Sequence, residues 1–255
     1  MALYKNEIPI LEYDDSKVAV IMPTHENLNI SLPEKAVFAF LEDEIDKYAR
    51  IHNLTPVAHF ISVTKKYPVY VVNYKGEQIC LCQAPMGSAP SAQIMDWLIG
   101  YGVKKVIAAG SCGALVDLPE NMFLVPRKAL RDEGTSYHYL PPSRFVEIPL
   151  HMLEAIEQAM SRLQLPYTEC ITWTTDGFYR ETREMIAYRK QEGCFVVEME
   201  CAALAACAKF RGIDFGQILF TADTLANVDA YDERDWGADS FEKALYICLD
   251  IISEC

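Results

Sequence analysis

Three short segments carry residues whose types and spacing could do chemistry, and each lies at or beside a predicted strand end. The first is Gly110-Ser111-Cys112-Gly113, which directly follows the apolar run Lys105–Ala109. Glycines on both sides allow backbone N–H groups to turn inward and form an anion-binding concavity, with the Ser111 hydroxyl as a further donor. A tight strand-to-loop turn without a ligand would give the same pattern.

The second segment places two carboxylates, Glu198 and Glu200, around Met199 at the entrance of an apolar helical segment. Burying a carboxylate there is costly without a partner, and the free N–H groups of a helix N-terminus supply part of the compensation. The pattern therefore predicts either simple helix capping or a buried carboxylate that accepts two hydrogen bonds from the diol of a sugar.

The third segment ends in Asp223, at the end of the predicted strand Gly216–Ala222. An aspartate in this position can protonate a leaving-group nitrogen if its surroundings raise its pKa. An N-cap or turn aspartate is the common alternative.

Cys112 offers a different chemistry, since a cysteine in a glycine-flanked turn could act as a nucleophile with His138 as its base. This thiol hydrolase or amidotransferase hypothesis leaves Glu198, Glu200 and Asp223 without a role. Retained activity in a Cys112→Ala variant would exclude it.

Composition and charge limit the classes of molecule that this protein could bind. The 255 residues carry a net charge of −13 and show no Lys/Arg face, which argues against a nucleic-acid polymer. No stretch resembles a secretory signal or a membrane span. Nine cysteines without a zinc pattern suit a reducing compartment, so we expect a cytoplasmic protein with no metal and no cofactor.

Apolar runs alternate with segments of helical periodicity along the chain. The predicted strands are Lys17–Pro23, Val69–Tyr74, Gln78–Ala84, Lys105–Ala109, Met122–Pro126, Thr168–Thr174, Phe195–Val197 and Gly216–Ala222. The predicted helices are Pro33–Arg50, Ser91–Tyr101, Leu150–Leu163, Glu181–Lys190, Met199–Arg211 and Phe241–Ile252. This order predicts a single α/β domain over residues 1–255, with a mixed central sheet flanked by helices. Ligands of such sheets sit at the carboxyl ends of the strands.

Taken together, GSCGAL at 110–115, VVEMECAAL at 196–204 and TAD at 221–223 resemble the trimeric/hexameric purine and uridine phosphorylases and the related methylthioadenosine nucleosidases. The resemblance extends over nearly the whole chain. It implies that Met199 and Glu200 hold the ribose, that Asp223 protonates N7 of a purine, and that Phe178 stacks on the base. It also implies a homo-oligomer, either a dimer or a hexamer.

The same resemblance assigns Gly110 and Ser111 to phosphate, but the arginines expected beside them are missing. The segment Pro23–Leu28 lacks the first arginine, Ala108 stands where the second is expected, and Lys65 aligns loosely with a third that a neighbouring subunit contributes. Charge-assisted hydrogen bonds contribute about 1.5–3 kcal/mol each. Losing two would weaken phosphate binding by roughly two to four powers of ten. Arg180 and Arg183 are possible substitutes.

The nucleosidases use a glutamate after the first strand to activate water, and Glu26 is the candidate here. The first expectation is therefore phosphorolysis of a nucleoside, with purine favoured and uridine possible, giving free base and pentose 1-phosphate. Phosphate-independent hydrolysis is the alternative, and a nucleoside-binding protein without catalysis is a further one.

Overall fold

The computed structural model describes residues 3–255 of the chain, and within them strands and helices alternate. The strands are β1 (Lys35–Phe40), β2 (Ala58–Ile61), β3 (Lys66–Tyr74), β4 (Glu77–Gln83), β5 (Lys105–Ala114), β6 (Phe123–Asp132), β7 (Phe145–Glu147), β8 (Tyr167–Thr175), β9 (Val196–Glu198) and β10 (Asp214–Thr224). The helices are α1 (Glu44–Ile51), α2 (Ser88–Gly100), α3 (Leu150–Arg162), α4 (Arg183–Gln191), α5 (Cys201–Arg211) and α6 (Phe241–Glu254).

These strands form one mixed sheet that closes on itself over part of its width. β5 pairs in parallel with β10, β10 is antiparallel to β6, and β6 is parallel to β8. β8 is parallel to β9, which returns antiparallel to the end of β5. On the other side of β5, the sheet continues through β1, β4, β3 and β2. The predicted α/β fold with a mixed sheet flanked by helices is confirmed.

Parallel pairing fixes where a site can form. β4 and β5 both run parallel to β1, and β10 runs parallel to β5, so the carboxyl ends of these four strands meet at one edge. Helices α3 and α6 pack together on the sheet, and α2 and α5 form a second packed pair. The N-termini of α2 and α5 therefore come close to the strand ends.

The prediction for the N-terminal region is wrong. Lys17–Pro23 forms no strand, and Val18, Val20 and Ile21 in it are at least 70% exposed. The segment lies outside the sheet, where the Lys17 amine donates to the carbonyl oxygen of Phe210 at 2.5 Å. A short apolar run alone does not distinguish a buried strand from an extended surface segment.

The first strand is instead β1, inside the predicted helix Pro33–Arg50. Residues 36–39 are all buried, as expected of a strand covered on both faces. The apolar residues of the predicted helix come from two elements. Those before residue 41 belong to β1, whereas Ile45 and Tyr48 belong to α1.

Most other elements follow the prediction. The hairpin of β3 and β4 turns at Lys75-Gly76, and both residues have positive φ values, 51° and 88°. α2, α3, α5 and α6 overlap the predicted helices. β5 is longer than predicted, because residues 110–114 continue the strand instead of leaving it.

Candidate active site

A cavity of about 580 Å³ opens at the shared strand edge. Six of the eight predicted site residues line it, namely Gly110, Ser111, Phe178, Met199, Glu200 and Asp223. Glu26 and Lys65 do not. A larger cleft of about 680 Å³ lies elsewhere, around Arg127 and Lys209, and none of the eight lines it.

Glu198 is a structural residue in the wall of this cavity. Its Oε1 accepts hydrogen bonds from Thr174 Oγ1 at 2.5 Å and from Thr172 Oγ1 at 3.1 Å. Its Oε2 accepts from the backbone N–H groups of Glu200 and Cys201, each at 2.7 Å. The capping alternative is thus realised by Glu198, which joins β8 and β9 to the first turn of α5.

Glu200 has far fewer protein partners. Its Oε1 accepts one hydrogen bond, from the backbone N–H of Gly87 at 2.5 Å, and Gly87 has a φ of 99° that favours glycine. Next to it, the Ser88 hydroxyl donates to the carbonyl oxygen of Met199 at 2.6 Å. Burial, then the nearby charge of Glu198, raise the pKa of Glu200 to about 8. The carboxyl group retains free acceptor positions toward the cavity.

Asp223 lies at the end of β10 in a site where its protonated form is favoured. Burial raises its pKa above the usual value, although a hydrogen bond from Tyr231 and the charge of Arg234 lower it in part. Arg234 is fixed by donating to the carbonyl oxygens of Ala222 at 3.3 Å and Leu118 at 2.7 Å. A buried carboxyl group with a raised pKa can serve as a general acid.

Gly113 allows Asp223 to approach β5. A Cβ atom on Gly113 would lie 3.1 Å from Asp223 Oδ1 and 2.9 Å from a methyl group of Leu225. The glycine is therefore needed for close packing. The predicted concavity of inward-turned N–H groups is wrong for 110–113, because these residues pair with neighbouring strands as part of β5.

Aromatic side chains form the rim. Phe178 and Tyr179 contact each other edge to face at 5.0 Å between ring centroids. Both line the cavity together with Trp236, and Phe178 and Trp236 are less than half exposed. These rings offer flat apolar surfaces on which a planar base can stack.

The charge of the cavity is the feature that the sequence did not reveal. Its lining carries five carboxyl groups, those of Glu42, Glu181, Glu198, Glu200 and Asp223, and no Lys, Arg or His among residues 3–255. Neither proposed substitute for the missing arginines helps. Arg180 does not line the cavity, and Arg183 forms an ion pair with Asp229.

Lys65 lies in the exposed connection between β2 and β3, where its backbone N–H donates to Ser62 Oγ at 3.0 Å. Glu26 lies in the N-terminal segment and accepts a hydrogen bond from Trp97 Nε1 at 3.0 Å. Because Lys17–Pro23 is not the first strand, the glutamate that follows the first strand is not Glu26. Glu42 follows β1 by two residues and lines the cavity.

Sequence reasoning missed several polar residues of the lining, among them Glu42, Glu181 and Gln217. Glu42 was hidden inside the predicted helix. Burial and the charge of Asp223 raise the pKa of Glu181 to about 7. Gln217 is 1% exposed, and its Oε1 has no hydrogen-bond partner among residues 3–255. Leaving a buried polar atom unpaired costs about 1–3 kcal/mol. A polar residue within an apolar strand was the signal that could have identified Gln217.

The geometry does not support a thiol nucleophile. Cys112 is 3% exposed and its Sγ contacts the carbonyl oxygen of Phe220 at 3.4 Å. Burial raises the pKa of this thiol well above its usual value, whereas a nucleophilic cysteine needs a lowered one. His138 lines a separate cleft beside Trp97.

The fold and this strand-end cavity define the chain as an α/β enzyme of the nucleoside phosphorylase and nucleosidase class. A sequence model of the Phosphorylase superfamily matches residues 34–253, and the chain belongs to that superfamily. None of the helices within residues 3–255 has both the length and the apolar character required to cross a membrane.

Individual relatives carry several activities. The chain is 24% identical over 224 residues to a guanosine phosphorylase of Halorubrum lacusprofundi, covering 84% of this chain and 92% of the relative. It is 28% identical to a DeoD-type purine nucleoside phosphorylase of Bacillus cereus, covering 69% and 76%. Among solved structures, it resembles an AMP nucleosidase of Bacteroides thetaiotaomicron, with a TM-score of 0.71, 23% identity and coverage of 88% and 89%.

The carboxyl cluster predicts a pH-dependent stability. A carboxyl group with a raised pKa in the folded protein stabilises the fold below its unfolded pKa of about 4.5, and this contribution is lost as the pH rises through about 8. We expect the free energy of unfolding to fall between pH 5 and 8, and Glu200→Gln to remove on the order of 3 kcal/mol of that fall. Urea unfolding at several pH values measures it.

Glu192→Gln is the matched control. Hydrogen bonds from Arg144 and Arg189 lower the pKa of Glu192, so it titrates below this window and its loss leaves the slope unchanged. An identical slope in wild type and Glu200→Gln would contradict the assignment of a raised pKa to Glu200.

Proposed function

We propose that the chain cleaves the N-glycosidic bond of a purine nucleoside with water as the nucleophile. The observation that carries this choice is the charge of the cavity, which holds five carboxyl groups and no cationic side chain of the described chain. A phosphate ion would find no cationic side chain of the described chain to pair with there. Water carries no charge and needs no cationic partner.

Asp223 acts as the general acid. Burial raises the pKa of Asp223 and so increases its protonated fraction at any given pH, and protonation of N7 turns the departing purine into a neutral base. Phe178 at the rim supplies a ring on which the base stacks. A proton donor such as Asp223 has no use unless the glycosidic bond is cleaved, which also argues against a protein that only binds nucleosides.

Glu200 and Met199 hold the sugar. Positive charge develops on the ribose as the base departs, and a carboxyl group that accepts from the 2′- and 3′-hydroxyls lies where that charge is stabilised. The Gly87 N–H and the Ser88 hydroxyl fix this part of the site from the N-terminus of α2.

Glu42 activates the water. It takes the place predicted for Glu26, directly after the first strand, and its backbone is held in the left-handed region with a φ of 46°. The Gln83 side chain donates to the Glu42 carbonyl oxygen and restrains the loop. A carboxylate in this position can remove a proton from the attacking water.

Phosphorolysis is the second candidate, and two observations favour it. Ser111 lines the cavity as an exposed donor, and both curated relatives described above are named phosphorylases. In a homo-oligomer, Lys65 and Lys66 of a second copy could supply the cations, since both are exposed at the outer edge of the sheet.

Release of free base from a panel of purine and pyrimidine nucleosides, with and without phosphate, tests the proposal. We expect release from purine nucleosides at the same rate in both conditions, with ribose as the second product. Release that requires phosphate and yields ribose 1-phosphate would establish the second candidate. Binding without any release would leave a nucleoside-binding protein.

Asp223→Asn tests the acid. Because an amide cannot donate a proton to N7, we expect kcat for purine nucleosides to fall by about 10²–10⁴. Glu181→Gln is the matched control, since it removes a neighbouring carboxyl group of the same cavity, and we expect less than a tenfold loss.

A p-nitrophenyl riboside separates acid catalysis from damage to the site, because its leaving group departs without a proton. Asp223→Asn should retain most activity on this substrate. Equal losses on both substrates would contradict the role of Asp223.

A further inference from the structure

Gln217 is a buried amide that the structure leaves without a protein partner. It lies near the middle of β10, is 1% exposed, and lines the same cavity as Glu42, Ser111 and Glu200. Its Oε1 makes no hydrogen bond within residues 3–255. Buried amides are nearly always paired, and an unpaired one in a cavity wall points to a partner outside the protein.

The direction of the side chain follows from its neighbour. A Cβ atom on Gly216 would contact Ile156 at 2.8 Å and Met152 at 3.5 Å, so residue 216 faces α3. Successive residues of a strand point to opposite faces. Gln217 therefore points away from α3, toward the side on which the cavity lies.

The strand register places the amide at one end of the cavity. Gln217 pairs with Ala108 of β5, which pairs in turn with Phe38 of β1. Two residues further along lies the row that contains Gly110 and Phe40, both of which line the cavity. The loop carrying Glu42 leaves β1 just beyond this row, whereas Asp223 lies further along β10, six residues beyond Gln217.

We propose that the Gln217 amide oxygen accepts a hydrogen bond from the attacking water and, together with Glu42, orients it for hydrolysis. The inference rests on the proposed function. Water has two O–H donors, one for the carboxylate of Glu42 and one for the amide oxygen of Gln217. Each of the two acceptors can therefore hold one O–H group of the same water molecule.

The step is balanced. The water oxygen forms a bond to C1 of the ribose as the bond from C1 to the base breaks. One water proton passes to Glu42, Asp223 supplies the proton that leaves with the base, and Gln217 is unchanged. Gln217 is a positioning residue for the nucleophile.

Gln217→Met tests the assignment, because methionine is similar in length and flexibility but lacks the amide. We expect kcat for phosphate-independent base release to fall about tenfold or more, with KM for the nucleoside within twofold. Gln217→Glu retains a carbonyl acceptor and should recover part of the loss. Gln93→Leu, on the exposed face of α2 outside the cavity, is the control for an unrelated glutamine.

The ratio of methyl riboside to ribose formed in a mixture of water and methanol is a second measurement. A purely structural role of Gln217 would leave this ratio unchanged. Methanol has a single O–H donor and cannot satisfy Glu42 and Gln217 together. Wild type should therefore form little methyl riboside relative to ribose, and Gln217→Met should raise that ratio several-fold. Thermal unfolding verifies that the variant is folded, and we expect its Tm to be equal or higher because an unpaired buried amide is removed.

Each outcome has one meaning. Unchanged kcat and an unchanged product ratio in folded Gln217→Met, with phosphate-independent activity in wild type, would overturn the Gln217 assignment alone. A wild type that releases base only with phosphate would overturn the proposed function and this inference with it. If Gln217→Met does not fold, the product ratio of Gln217→Leu, which also lacks the amide, decides: a raised ratio supports the role and an unaltered ratio refutes it.

Discussion

The cavity depends on one buried carboxylate, that of Glu198. Four hydrogen bonds converge on it, two from threonine hydroxyls of β8 and two from the first N–H groups around the start of α5. The Thr174 hydroxyl also accepts from the N–H of Ala202 at 3.0 Å, which ties the same helix to the same strand. Because Glu198 satisfies the helix N-terminus, Glu200 is free to face a ligand. Glu198 thus holds β8, β9 and α5 together, whereas Glu200 keeps acceptor positions for a ligand.

A second constraint follows from the first. Holding Glu198 and Glu200 in one desolvated wall, with Asp223 and Glu181 nearby, disfavours ionisation of the group as a whole, and the pKa values of all four are raised. Raised pKa values are what acid catalysis at neutral pH requires. The same cavity has no cationic side chain of residues 3–255 that could pair with an anion. The lining therefore combines carboxyl groups of raised pKa with the lack of a partner for an anionic nucleophile.

Much of this was predictable from the sequence, and the exceptions have physical causes. Glu198, Glu200 and Asp223 could be located because carboxyl groups beside apolar elements are costly to bury without a partner, and Met199 through the resemblance of its segment to a known family. The first strand could not, because the exposed run Lys17–Pro23 is as apolar as β1, and only tertiary packing decides between them. The choice of Glu26 depended on that error, since the glutamate that follows β1 and lines the cavity is Glu42. Gln217 was detectable as a polar residue within an apolar strand, but its place in the cavity required the strand register. The absence of lining cations among residues 3–255 required the cavity itself, which no local pattern encodes.

The central claim is that an acid-lined cavity delivers water, and not phosphate, to the sugar. Isotope labelling tests it most directly: a purine nucleoside is turned over in ¹⁸O-water containing phosphate, and the released sugar is examined by mass spectrometry at early times, before anomeric exchange. The account predicts ribose that carries the ¹⁸O label at C1. Unlabelled ribose 1-phosphate as the first product would contradict it.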